Sequence, residues 1–188
     1  MLENQIGKRF AEALSDSIED PAKLSQALDS LTAISEAFKS DPNLNRFFIH
    51  PSFSEERKQD LANELCAKTG AGDEVRKLIA LLVHRQKIQY VKNIAQYFQD
   101  FVDRRLNRVR VEVISAHPIG QAALDKLKTS LDRQLGRTAI INTAVDESLI
   151  GGIRLLVGSR VADATIKNRL EQLKNAIRNE EALSELAS

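Results

Sequence analysis

The residues of this chain that are able to do chemistry are few and scattered. His50, His84 and His117 stand far apart, and no two of them have the i, i+4 spacing that would set them on one helix face as zinc ligands. His50 and His117 each precede a proline, which places them at element boundaries. Cys66 is the only cysteine, so an internal disulfide and a cysteine metal cluster are both excluded, and it reads as a small apolar core residue of a helix. Gly151-Gly152 offers a different possibility, a loop whose amides cradle a phosphate. A Walker loop continues into a lysine and a hydroxyl residue and opens a helix, whereas Ile153-Arg154-Leu155 follows here and continues a strand. Gly120 stands alone and makes no dinucleotide fingerprint. With no serine elbow, ligand set or cofactor motif, the expectation is no catalytic residue, no metal and no cofactor.

What remains is charge and apolar surface. Arg104-Arg105-Leu106-Asn107-Arg108-Val109-Arg110 is the strongest local charge feature and, as a nucleic-acid element, would be a short patch at a domain joint. The same cations suit the last turn of a helix and the wet face of a following strand. Lys and Arg number 27 against 26 Asp and Glu, so no global field favours nucleic acid or an anionic membrane. Tryptophan is absent and aromatics are 5%, which argues against stacking platforms for single strands. No apolar run approaches the roughly 20 residues that span a bilayer, and Met1-Leu2-Glu3-Asn4-Gln5 has neither a signal core nor a basic presequence. The expectation is a bacterial cytoplasmic protein.

The elements that must position these residues fall into two groups. Up to about Arg105 every periodic segment is helical. Ile6, Phe10, Ala13, Leu14 and Ile18 share one face of a first helix. Asp20-Pro21 and Asp41-Pro42 each supply an N-cap and a first-turn proline for the next two, the second carrying Leu24, Leu28, Leu31, Ile34 and Phe38, the third Leu44, Phe47 and Phe48. Ser54 with Glu55 and Glu56 opens a fourth, Asp73 caps a fifth, and a sixth runs from about Gln89 through Val91, Ile94, Phe98 and Val102. The fifth is apolar nearly all round: Val75, Leu78, Ile79 and Leu82 fill one side, and Ala80, Leu81 and Val83 cover much of another. Such a helix is either central to the bundle or forms a groove for a partner helix.

After Asn107 the period changes. Arg108-Val109-Arg110-Val111-Glu112-Val113 alternates charge and valine, a strand with one wet face. Leu124, Leu127, Leu131 and Leu135 make a helix ending at Gly136. Thr138 to Val145 and Leu149 to Val157 read as two strands joined through Asp146-Glu147-Ser148 as a hairpin, and a last helix carries Ile166, Leu170, Leu173 and Ile177 with Asp163 or Thr165 at its start. Asn179 to Glu185 read as a solvated acidic tail. The fold class is α+β: a six-helix all-α bundle over residues 1–106, then a small α/β sandwich-like domain over residues 107–188.

Placed on these elements, Asp146-Glu147-Ser148-Leu149-Ile150-Gly151-Gly152, then Val157-Gly158, Val161-Ala162-Asp163, Ile166 and Leu170 resemble the C-terminal signature of the delta subunit of F-type ATP synthases, the oligomycin-sensitivity-conferring protein family. Arg9-Phe10-Ala11-Glu12-Ala13-Leu14 is similar to the family's first-helix motif, and Arg85-Gln86-Lys87-Ile88 to the end of its fifth helix, with Lys87 where arginine is usual. Val113-Ile114-Ser115-Ala116 resembles the end of its first strand, with Gly120 where a hydroxyl cap is expected.

The resemblance implies a stator subunit of a proton-translocating ATP synthase, at the cytoplasmic face of the bacterial inner membrane and bound to the membrane only through the complex. It implies two partners: the N-terminal helix of an alpha subunit, held between the first and fifth helices, and the b-type peripheral stalk, met by the C-terminal domain. The expected groove is Phe10, Ala13 and Leu14 with Leu78, Ile79 and Leu82, and Leu81 and Val83 are the fallback if the other face points outward. Asp146, Gly151, Gly152, Gly158 and Asp163 are expected as structural signature residues. The competing expectation is a helical adaptor or nucleic-acid-binding regulator acting through Arg104 to Arg110.

Overall fold

The computed structural model describes residues 2–158 and 160–174, which form a mixed fold of helices and one sheet. The chain divides between Leu106 and Asn107 into two compact units, each with its own core.

The first unit contains α1 (Leu2–Ser17), α2 (Pro21–Ser40), α3 (Pro42–Ile49), α4 (Glu55–Lys68), α5 (Asp73–His84) and α6 (Val91–Arg105). Their starts follow from local chemistry. The Asp20 and Asp41 carboxylates each accept from the amide two residues on at 2.8 Å, and Ser54 Oγ accepts from the Arg57 amide at 3.4 Å. These contacts satisfy amides that the first helical turn leaves without partners. Asp73 does not cap α5 as expected. Gly72 takes the extended N-cap conformation, and Asp73 is the first helical residue, where its charge complements the helix dipole. A 3-10 turn over Ile88–Tyr90 delays the start of α6 from the expected Gln89 to Val91.

Ile18, Leu24, Leu31, Ile34, Val75, Leu82, Ile94, Phe98 and Val102 are fully buried and form the centre of this core. α1 packs on α6 through its small residues: Ala11 is buried, and a methyl on Gly7 would stand 3.1 Å from Asn93 Cβ and 3.2 Å from Tyr97 Cδ2. At the far end of the same helix pair, the Arg105 guanidinium donates to the Ser15 carbonyl at 2.6 Å.

The second unit runs β1 (Arg108–Ser115), α7 (Gln121–Leu135), β2 (Thr138–Val145), β3 (Ile153–Val157), β4 (Arg160–Asp163) and α8, helical over 166–174. Gly136, at φ +62°, closes α7 in the left-handed conformation. The sheet order is β2-β1-β3-β4. β2 returns through α7 to lie parallel to β1, with Arg108 opposite Thr138 and Ser115 opposite Val145. β3 lies antiparallel on the other side of β1, and β4 folds back on β3.

The expected hairpin between the second and third strands is therefore not made. The segment after β2 crosses β1 instead of turning back, Leu149 belongs to a 3-10 turn, and the strand begins only at Ile153. β4, unanticipated, is the true hairpin partner of β3. β1 is central and paired on both sides; among the described residues the edges are β2 and β4. Alternate residues of the strands, Val109, Val111, Val113, Ala139, Ile141, Leu155 and Val157, pack with Leu127 and Leu131 of α7, so the layers here are a sheet and a helix. The expected Ile177 and the acidic tail lie outside the described residues.

Candidate functional site

Among the described residues no His, Cys, Asp or Glu group is arranged to hold a metal ion. His84 Nδ1 lies 2.6 Å from Glu55 Oε1, an exposed contact joining α5 to α4. Cys66 is buried, and that burial pushes its thiol above the ordinary range, partly offset by Arg76. The basic cluster is spent on structure at Arg105, whose guanidinium is bound to the end of α1. Arg104 lies beside it in the last turn of α6, and Arg108 and Arg110 lie in β1.

The geometry concentrates instead on two surfaces. On the first unit α1 neighbours α5. Leu14, Leu78, Ile79 and Leu82 are all turned into the core, Leu82 with no exposure at all. Val83 is buried as well. Phe10 is half-buried, Ala13 is exposed, and Leu81 is 41% exposed, the one large apolar side chain of α5 left open to solvent. Of these expected residues, solvent reaches Ala13 and Leu81 and in part Phe10, whereas Leu14, Leu78, Ile79 and Leu82 are closed to it.

The second surface surrounds the glycine pair. Gly151 accepts the Ile166 amide through its carbonyl at 3.0 Å, and the Ile153 carbonyl accepts the Ala164 amide at 3.0 Å, so the start of β3 lies directly against the entry to α8. A methyl on Gly152 (φ +84°) would lie 2.5 Å from the Ala164 carbonyl oxygen, and one on Gly151 would lie 2.7 Å from Ile166 Cδ1. At Gly152, against backbone and with positive φ, only glycine permits that approach, whereas at Gly151 the end of the Ile166 side chain can shift. Ile150 also has positive φ, at 62°, an uncommon state for a β-branched residue.

Asp163 locks the other side of the junction. Its Oδ1 accepts from the Thr165 amide at 2.9 Å and the Thr165 hydroxyl at 2.7 Å, and its Oδ2 accepts from Arg154 Nε at 3.0 Å. Thr165 Oγ1 in turn accepts from the Asn168 amide at 3.2 Å, capping α8. The Thr165 bonds, then Arg154, hold the Asp163 carboxyl below the usual carboxylate range. Asp146 is held low chiefly by Ser148, whose amide it binds at 3.0 Å. Gly158, at φ +60°, faces open space in the turn before β4. Sequence reasoning singled out Asp163 without its partner Arg154, because a salt bridge between neighbouring strands depends on a pairing that composition does not reveal.

This junction sets the start of α8, and α8 leaves its apolar stripe uncovered. Ile166, Leu170 and Leu173 are 45%, 55% and 58% exposed, and Val161 and Ile150, next to Gly151, are more exposed still. Large exposed patches on a folded unit mark interaction sites.

The helical unit leaves Leu81 open and the small mixed sheet unit leaves the α8 stripe open, apolar surface of the kind an interaction protein presents. The chain matches the model of the family "ATP synthase delta (OSCP) subunit" over residues 6–177 and belongs to that family. It is 29% identical over 180 residues to the ATP synthase subunit delta of Myxococcus xanthus, covering 95% of this chain and 99% of that protein. It is 28% identical over 177 residues to the subunit delta of Syntrophus aciditrophicus, covering 94% and 98%. Its fold is similar to a chain of the Toxoplasma gondii mitochondrial ATP synthase hexamer, with a TM-score of 0.66 over 91% of this chain and 96% of that one, at 19% identity. The family is a structural, non-catalytic stator subunit of ATP synthase. Among the described residues no helix is long and apolar enough to cross a membrane.

Proposed function

We propose that this chain links the alpha subunits of the catalytic head to the b-type peripheral stalk of a proton-translocating ATP synthase. The link resists rotary torque, so that ATP synthesis stays coupled to ion flow. The observation that carries the reading is the uncovered stripe Ile166, Leu170 and Leu173 on α8, in a family of stator subunits. A helix of a globular unit normally turns such a stripe inward, and one left in water is matched to a second helix. The stalk packs there, beside Ile150 and Val161.

The helices before Leu106 act as one bundle that receives the alpha-subunit N-terminal helix along α1 and α5. Phe10, Ala13 and Leu81 make the contact, on a floor of Leu14, Leu78, Ile79 and Leu82. A buried floor supports a preformed groove, which spares the ordering cost that otherwise consumes affinity. The complex holds the chain at the cytoplasmic face of the bacterial inner membrane without insertion.

The test is a titration of the full chain with an alpha-subunit N-terminal peptide and, separately, with the soluble part of a b-type subunit. Leu81→Asp is expected to weaken the first at least tenfold and leave the second unchanged, and Leu170→Asp to do the reverse. Equal effects of either substitution on both partners would refute the assignment of the two faces.

A further inference from the structure

Lys58, near the start of α4, is only 9% exposed, although a lysine normally keeps its ammonium in water. Among the described residues its side chain has no hydrogen-bond or ion-pair partner. An ammonium withdrawn from water without a partner is costly, and a ligand of opposite charge would relieve that cost. Lys58 lines a cavity of about 150 Å³, together with Phe48 and Ile49 at the end of α3 and Gln86, Ile88 and Gln89 just after α5.

The lining dictates what fits. Lys58 offers donors and no acceptor, and the Gln86 and Gln89 side-chain amides can add further donors to an anion. No acidic side chain lines the space, either to repel an anion or to hold a cation. Phe48, Ile49 and Ile88 supply an apolar wall, on which phosphate would leave oxygens without partners. A cavity of this size takes about six heavy atoms, as in benzene. A carboxylate on a short hydrocarbon body meets each of these conditions.

Gln86 adds an independent sign. α5 ends in a Schellman turn, in which the Gln86 amide donates to the Val83 carbonyl at 3.0 Å and the Lys87 amide to the Leu82 carbonyl at 2.7 Å. Gln86 itself takes φ +54°, where glycine is the ordinary choice. A glutamine there keeps a side chain on the cavity at a conformational cost, and such outliers gather where ligands bind.

We propose that the cavity binds a carboxylate, with Lys58 as its cation and Gln86 and Gln89 as hydrogen-bond donors. The carboxylate belongs either to a small free acid or to an acidic side chain of another protein, which present the same group. Neither source requires the contacts proposed for α5 or α8.

Titrating the full chain with butyrate should shift the NMR signals of the Gln86, Ile88 and Gln89 backbone amides, with a dissociation constant on the order of 1 mM. Butyramide, which keeps the shape and loses the charge, and inorganic phosphate should each bind about tenfold more weakly or not at all. Lys58→Met keeps most of the stem and should weaken butyrate about tenfold or more without lowering the melting temperature, since the ammonium it removes has no partner. Should that variant misfold, Gln86→Gly serves instead: glycine suits the left-handed backbone, and butyrate affinity should fall about threefold while the fold is kept. Glutamate capped at both backbone ends separates the two sources. Binding at least as tight as that of butyrate assigns the site to a protein side chain, and weaker binding assigns it to a free acid. No shift at these amides with butyrate, equal binding of butyramide, tighter binding of phosphate, or affinity unchanged in either variant overturns the proposal.

Discussion

At Gly152 the backbone is both left-handed and crowded, while at Gly158 it is left-handed in open space. Replacing each by alanine separates the two causes. Gly158→Ala is expected to cost only the conformational strain, about 1 kcal/mol. Gly152→Ala must in addition push back the Ala164 carbonyl and should cost about 3 kcal/mol or more, read as lost hydrogen-exchange protection in β1 and β3. Equal losses would mean that the close approach of α8 contributes nothing.

Asp163 carries a pH consequence. Its folded carboxyl is held below the ordinary aspartate value of 3.8 by Thr165 and Arg154. A depressed acid stabilises the fold above the unfolded value, and that contribution fades as pH falls below about 4 and through the folded value. Thr165→Val should therefore destabilise the second unit at neutral pH and flatten its loss of stability in acid. Cys66, the only thiol, is buried and shifted upward, so a thiol reagent should label it only as fast as the first unit opens.

At the scale of the element, the proposed groove makes α5 separate stability from binding within two adjacent residues. Leu82→Ala removes a side chain with no exposure and should cost about 2–5 kcal/mol, whereas Leu81→Ala should change stability by about 0.5 kcal/mol or less and act on partner affinity. Thermal unfolding of the two variants measures both. The helical starts at Asp20-Pro21 and Asp41-Pro42 were legible in the sequence because cap chemistry is local. The face of α1 was legible only in part, since Gly7 and Ala11, which set its approach to α6, carry almost no hydropathy signal. Alternation identified the long strands but not their neighbours, which depend on the α7 crossover, and Arg160–Asp163 is too short and too exposed to show a pattern. The two-sided apolar character of α5 was visible, but which side faces inward was decided by packing against the other helices.

At the scale of the molecule, the two units differ in how much they bury. The first has a large continuous core; the second has Val111, Val113, Leu131 and Ala139 at its centre and leaves the α8 stripe in water. Hydrogen exchange on the free chain should show greater protection in α2 and α6 than in β1, and a bound stalk partner should raise protection in the second unit alone. Uniform protection would contradict this.

The central place of β1 also has a consequence in time. Its partner β3 is made roughly 40 residues later, which at about 5–20 residues per second leaves a delay of about two to eight seconds on the ribosome. For that interval the central strand of the unit is exposed along one side in the nascent chain, and the order of synthesis, more than final stability, decides how safely this half is born.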